Sequence, residues 1–313
     1  MKKILFYIIV TISVFQIGCR GITDGLVIDL EIPEHDPILT PYCFINAADS
    51  TVEVMVQKSQ GALEALDERY VQNATVELYK NGTLWNTIPF QSTDHDQNGL
   101  YKLQLDEAFE VEGFGDTYEL RVSSPDFETN TATQVMPSPV MPISIEYNEQ
   151  GGTSPFGDIL DVVRVTFDDP ADVENYYLID LYVKATRINE VGDTVGESES
   201  WSSVVSGNNP SITQGYGGVI VKDDLFDGER ITLDVGTWAS SSSLSNNSDF
   251  TSVGVVTVVL YSITRDEYLY QKSLETYANS QGLFSEPTLI HSNMSQGLGA
   301  FTMMVSSKQE FTF

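Results

Sequence analysis

Cysteine, histidine and basic side chains are all scarce in this chain, and each scarcity closes a class of function. Cys19 and Cys43 are the only two cysteines. The first ends an N-terminal export signal, so no disulfide is expected and the fold must rest on its core. Cys43, in the apolar stretch Tyr42–Ile45 with no histidine near in sequence, reads as a buried, inert thiol. The three histidines, His35, His95 and His291, stand far apart and lack the spacing of a zinc site. Lys and Arg total 16 against 45 Asp and Glu, a net charge of −29. Such a surface repels nucleic acid and anionic headgroups, so neither is expected as a partner. Also missing are a G-x-S-x-G elbow, an H-E-x-x-H pair, a phosphate loop and a dinucleotide fingerprint. The expectation is therefore a protein that is not an enzyme and carries no resident cofactor. The hydrolytic alternative is a glycosidase-like carboxylate pair, which the sequence does not assign to particular residues.

Long apolar runs are missing as well. The one continuous stretch, Ile4–Phe15, is shorter than the roughly 20 residues a membrane span needs. It follows Lys2 and Lys3 and ends in Gln16-Ile17-Gly18-Cys19, so residues 1–18 read as an export signal and Cys19 as the site of lipid attachment. Gln16 stands where such signals usually carry leucine. Multiple acyl chains on one cysteine would give stable anchoring, since each buried CH₂ contributes about 0.8 kcal/mol. Residues 19–36 then form a tether.

What is present in abundance is period-two alternation, the pattern of strands with one face in a core. Val52/Val54/Val56, Val76/Leu78, Tyr101/Leu103/Leu105 and Tyr118/Leu120/Val122 are the clear cases in the first half. Asn81-Gly82 predicts a two-residue hairpin, because both residues accept positive φ. The fold class is accordingly all-β and mainly antiparallel. An immunoglobulin- or transthyretin-like sandwich is expected over 37–138, with a loop near 60–70 that could hold a helical turn in Ala62–Arg69. Three prolines in Met136–Pro142 break the pattern and mark the boundary. A second β-rich domain is expected over 139–313, with strands at Ile143–Tyr147, Ile159–Phe167, Tyr176–Ile188, Ile231–Val235, Val253–Ile263, Pro287–Asn293 and Gly299–Ser306. Ser240–Ser248 reads as a polar loop. One helix is predicted at about 264–279, where Thr264 and Glu267 have capping-box spacing and Tyr270, Leu274 and Tyr277 line one face.

Two local patterns carry candidate chemistry. Asp94, Asp96 and Asn98, alternating before Gly99, are spaced like the opening of a calcium loop, but the bidentate acid that would close it is missing at Leu105. A solvated hairpin turn is the favoured reading, with calcium the alternative. Trp85, Trp201 and Trp238 are candidate platforms for sugar rings, against a default of ordinary packing. No specific ligand-binding residue is assigned.

The segments FDDPADVENYY at 167–177, DDLFDGERITL at 223–233, LYSITRDEYLYQKSL at 260–274 and FSEPTLIHSNMSQGLGAF at 284–301 occur in this order. With the N-terminal signal, NATVELYKNG at 73–82 and NGLYKL at 98–103, they resemble the Bacteroidota lipoproteins called domain of unknown function 4249. The resemblance implies an outer-membrane, lipid-anchored, all-β protein, often encoded beside TonB-dependent receptors, and it supplies no catalytic residues. It makes an accessory or substrate-capturing partner of such a receptor the leading functional expectation. A stand-alone glycan- or peptide-binding lipoprotein is the alternative. The external face of the membrane is favoured over the periplasmic one, although Arg20-Gly21-Ile22-Thr23 precedes the first acid, Asp24, where an acidic surface-export tag would begin. Gly297, Gly299 and Asp227-Gly228 read as turns, and Asn175 and Asn293 as binders of local backbone.

Overall fold

Alternation of apolar and polar residues governs the structure, a computed structural model that describes residues 35–61, 69–91, 99–109, 114–154, 157–202, 204–205, 212–237, 250–280 and 288–312. The export signal, Cys19, nearly all of the tether, the helical turn at 62–69 apart from Arg69, the Asp94–Asn98 loop, Trp238 and Ser240–Ser248 lie outside the described residues. All of the strands belong to one compact unit, formed by Pro37–Ser59 and Ala65–Phe313.

Seven strands precede the proline-rich boundary: β1 (Leu39–Asn46), β2 (Thr51–Lys58), β3 (Thr75–Lys80), β4 (Thr83–Ile88), β5 (Leu100–Gln104), β6 (Thr117–Ser124) and β7 (Phe127–Val135). Ten follow it: β8 (Ser144–Thr153), β9 (Ile159–Asp168), β10 (Tyr176–Asn189), β11 (Thr194–Ser202), β12 (Val204–Val205), β13 (Ile212–Gly215), β14 (Gly218–Lys222), β15 (Arg230–Thr237), β16 (Phe250–Ile263) and β17 (Ala300–Thr312). One helix, α1 (Arg265–Asn279), joins β16 to the segment before β17. Among the described residues the protein is all-β apart from this helix, and their strand pairs are antiparallel except for β1 with β17.

These strands make one large sheet and two small ones. The large sheet runs β13-β14-β10-β16-β17-β1-β2-β5, with β11 also paired to β10; the small sheets are β4-β3-β6-β7 and β12-β15-β9-β8. Leu78, Tyr118 and Leu120 of the first small sheet share a core with Val54, Phe301, Met303 and Val305. Val163, Val165 and Leu233 of the second share another with Ile179, Leu181, Val256 and Val258. In the β16–β17 register Leu260 lies opposite Ser307 and Ser262 opposite Val305, so the apolar residues of both cores lie on one face of the large sheet. Both small sheets therefore pack on that face, each buried Val or Leu contributing about 1.5–3 kcal/mol. The cores divide at the proline-rich segment, Met136 in the first and Val140 in the second. The large sheet nonetheless runs through both halves, because β17 inserts between β16 and β1.

The helix occupies the opposite face, where Tyr176, Leu178, Ile220 and Ile263 form a third cluster with Tyr268 and Met304. Thr264 caps it, its hydroxyl accepting the Glu267 amide at 3.4 Å. The reciprocal half of the predicted capping box is not made. Glu267 instead accepts from Thr302 and Gln271, while the Thr264 amide donates to the Met303 carbonyl. The hairpin turn is as expected, with Asn81 at φ 51° and Gly82 at φ 77°. The strand expected at Pro287–Asn293 is replaced, over its described residues 288–293, by coil. There the His291 backbone amide donates to the Ser273 hydroxyl of the helix and the Asn293 side chain pairs with the Phe301 backbone of β17, so side chains take the place of a strand partner. Six strands, β1, β7, β11, β12, β13 and β14, are not anticipated from the sequence.

Candidate functional site

The FSEPTLIHSNMSQGLGAF segment, over its described residues 288–301, contributes to a polar hub where β7, α1, β1 and β17 meet. Asn130 occupies an inward position of β7, 0 % exposed, where alternation calls for an apolar residue. Its amide donates to the carbonyls of Leu39 (2.8 Å) and Leu298 (3.2 Å), and its oxygen accepts from the Ser295 hydroxyl (3.1 Å) and the Gln296 amide (2.9 Å). All four of its hydrogen-bonding positions are filled. Further along the same face, Gln134 donates to Asp266 at 2.6 Å. Asp266 also contacts His291 Nε2 at 2.8 Å and accepts from Asn293 at 3.3 Å. Asn293 in turn pairs both ways with the Phe301 backbone, at 2.6 and 3.0 Å. The local-backbone role expected of Asn293 is thus realised across the turn into β17.

Electrostatics differ between neighbours in this hub. Burial raises the Asp266 pKa, but bonds from Gln134, His291 and Asn293 outweigh it and hold the carboxyl below its ordinary range. Glu267, 1 % exposed, faces no cation among the described residues, and burial pushes its carboxyl up despite bonds from Thr302 and Gln271. His291 and Asp266 are separated by 25 positions in sequence, and no spacing signals their meeting. Ser273 Oγ accepts from the His291 backbone amide and donates to the Tyr270 carbonyl, so it is tied to main chain rather than to the imidazole.

A second cluster joins the FDDPADVENYY and DDLFDGERITL loops. One oxygen each from Asp169, Asp223 and Asp227 lies within 4.8 Å of the others. Asp169 accepts from the Tyr177 hydroxyl and the Gly228 amide (2.9 Å), Asp223 from the Asn175 amide (2.6 Å), and Asp227 from the Asp172 amide (2.9 Å). Burial, countered by the Asn175 bond and aided by Asp169 and Asp227, raises the Asp223 carboxyl. Among the described residues, these three could hold a hard divalent cation through their remaining oxygens. Sequence spacing does not single them out, although each loop carries an acidic doublet. Lys222 bridges the same loops, 2.7 Å from both Glu174 and Asp224. Tyr176 and Tyr177 beside these loops are buried, at 6 % and 0 % exposure.

Of the candidate tryptophans, Trp201 stands on β11 edge-to-face with Tyr182 at 5.4 Å. Trp85 stands on β4 in a cleft of about 540 Å³ with Phe109 and Tyr118. Cys43 is buried in the first core and its thiol is pushed well up by burial, as expected of an inert cysteine.

Fold and hub together define an all-β protein with two sandwiches on a shared sheet, pinned by side-chain amides and carboxylates. The chain belongs to the family described as domain of unknown function (DUF4249), whose model matches residues 27–310. No curated protein matches it. Among solved structures it is similar to the B domain of a biofilm associated protein, at 7% identity and a TM-score of 0.19 over 88% of this chain and 85% of that one. A BSP domain of a biofilm associated protein gives 8% identity and a TM-score of 0.19, over 88% of this chain and 58% of that one. Likenesses this distant define neither fold nor function.

Proposed function

We propose that this is a non-catalytic lipoprotein of the outer membrane, anchored through Cys19, that works as an accessory or substrate-capturing partner of a TonB-dependent receptor. The observation that carries the reading is how polar groups of the family segments, with Asn130 of the facing strand β7, are used. Asn130, Asn293, Asp266 and Glu267 commit their side chains to backbone groups and to neighbouring side chains, building a rigid support rather than presenting groups to a substrate. The export signal and the acidic composition fit an exported protein that binds neither nucleic acid nor anionic headgroups. The cell surface is the favoured side.

Gentle detergent extraction of native membranes followed by affinity isolation of the full chain tests this. Stoichiometric recovery of a TonB-dependent receptor is expected. Preparations free of receptor across several detergents would count decisively against it.

A further inference from the structure

The open end of the first sandwich is shaped by a bulge. On β3 Leu78 pairs with Asn86 and Tyr79 with Leu84, so Trp85 is the extra residue of a β-bulge on an edge strand. Bulges at sheet edges re-aim side chains. Here the bulge turns the indole toward the inner face, where its centroid lies 5.1 Å from Phe109 and 5.9 Å from Tyr118, both edge-on. Phe109 and Tyr118 are buried and hold the ring in one orientation, yet Trp85 keeps 37% exposure. Its indole N–H has no protein acceptor among the described residues.

Around this ring the cleft is lined by Asn86, Asp106 and Glu107, whose side chains have no protein partner among the described residues. Its volume, about 540 Å³, falls within the range of small-molecule sites. Lys80, at the same mouth, is held 2.9 Å from Asp116 with its ammonium 5.8 Å from the Tyr118 ring. A resident cation thus already serves the aromatic cluster.

From this arrangement we infer that the Trp85 cleft binds an uncharged oligosaccharide. A pyranose ring presents an apolar C–H face and a rim of hydroxyls. The fixed indole takes the face; the Asn86 amide and the Asp106 and Glu107 carboxylates take the hydroxyls. Anionic sugars are repelled by those carboxylates and by the net charge of −29. A cationic ligand would have to displace or oppose Lys80. A neutral glycan is then the substrate class within the capture role proposed for this protein, and its assignment rests on that reading.

The test is calorimetric titration of the full-length chain in detergent micelles with neutral gluco-, manno-, galacto- and xylo-oligosaccharides, read together with indole fluorescence. Saturable binding of at least one neutral oligosaccharide is expected, with a fluorescence change and an affinity indifferent to salt. Trp85→Ala should weaken it about tenfold or more, as anchor tryptophans do, while Trp201→Ala leaves it unchanged. Should Trp85→Ala melt early, Asp106→Asn and Glu107→Gln, on exposed positions, must each still weaken binding. Silence across the neutral panel, undiminished binding in these variants, or salt-sensitive binding of spermidine alone would overturn the cleft. A chain that recovers its receptor but binds no sugar loses only this inference. One that binds sugar through Trp85 without any receptor loses only the partner reading.

Discussion

Asn130 donates to the carbonyl of Leu39 at 2.8 Å across 91 positions of sequence. This bond ties the edge strand of one small sheet to the first residue of β1 inside the large one, and the other three bonds of the same amide fix the turn before β17. Replacing Asn130 with Ala strands buried carbonyls and an amide, a penalty of about 2–4 kcal/mol. Urea denaturation should show the midpoint lowered with an unchanged slope. A loss under about 0.5 kcal/mol, the scale of an ordinary surface change, would remove the hub from the stability of the fold.

Asp266 and Glu267, adjacent in the first turn of α1, should titrate with opposite effects on stability. The Asp266 pKa is depressed below 3.8, so its contribution is present above that pH and is lost as pH falls through the lower folded value. Asp266→Asn should therefore destabilise at neutral pH, by about 1–2 kcal/mol from weakened charged hydrogen bonds, with the gap closing in strong acid. The Glu267 pKa is raised above 4.5, so stability is full below 4.5 and falls as pH rises through the folded value. Glu267→Gln should flatten that decline, since the Thr302 hydroxyl can accept as readily as donate. Thermal melts of both variants from acid to neutral pH check the signs.

Gly299 sits at φ +107°, and a Cβ there would fall 2.2 Å from the Pro41 carbonyl oxygen. Neither strain nor clash can be relieved without moving β1 from β17. Gly299→Ala should cost about 3 kcal/mol or more. Gly297, also at positive φ, has open space around it, so Gly297→Ala should cost less. Paired denaturation curves decide whether the order holds.

Asp169 receives the Tyr177 hydroxyl on one oxygen and the Gly228 amide on the other. An alanine there leaves both donors without their acceptor. Asp169→Ala should destabilise by about 2–3 kcal/mol, and hydrogen exchange should quicken in both motif loops together. Faster exchange in one loop alone would show that the carboxylate does not couple them.

Mass spectrometry of the membrane-extracted chain should give an N-terminus at Cys19 carrying acyl chains, and Cys19→Ser should release the protein from the membrane fraction. An unmodified Cys19 thiol would remove the anchor and with it the proposed membrane role.

Much of this fold is legible in the chain because strand periodicity is local. Alternation at Val52/Val54/Val56 and Tyr118/Leu120/Val122 marks which side chains enter the core, Asn81-Gly82 fixes its own turn, and Thr264 caps its own helix. The motif segments likewise identify the family without any coordinates. By contrast, polar hydrogen bonding between distant segments leaves no periodic trace. Nothing near Asn130 announces Leu39 or Gln296, and nothing in Asp266 announces His291. Even the Trp85 cleft depends on a register shift that the β3–β4 hairpin takes only when the ladder closes. Most strands, the hairpin turn, the helix and the family are thus written in neighbouring residues. The parallel pairing of β17 with β1, which carries one sheet through both halves, emerges only on folding. Partners so far apart in the chain are chosen by which apolar faces can be buried together, and no local pattern records that choice.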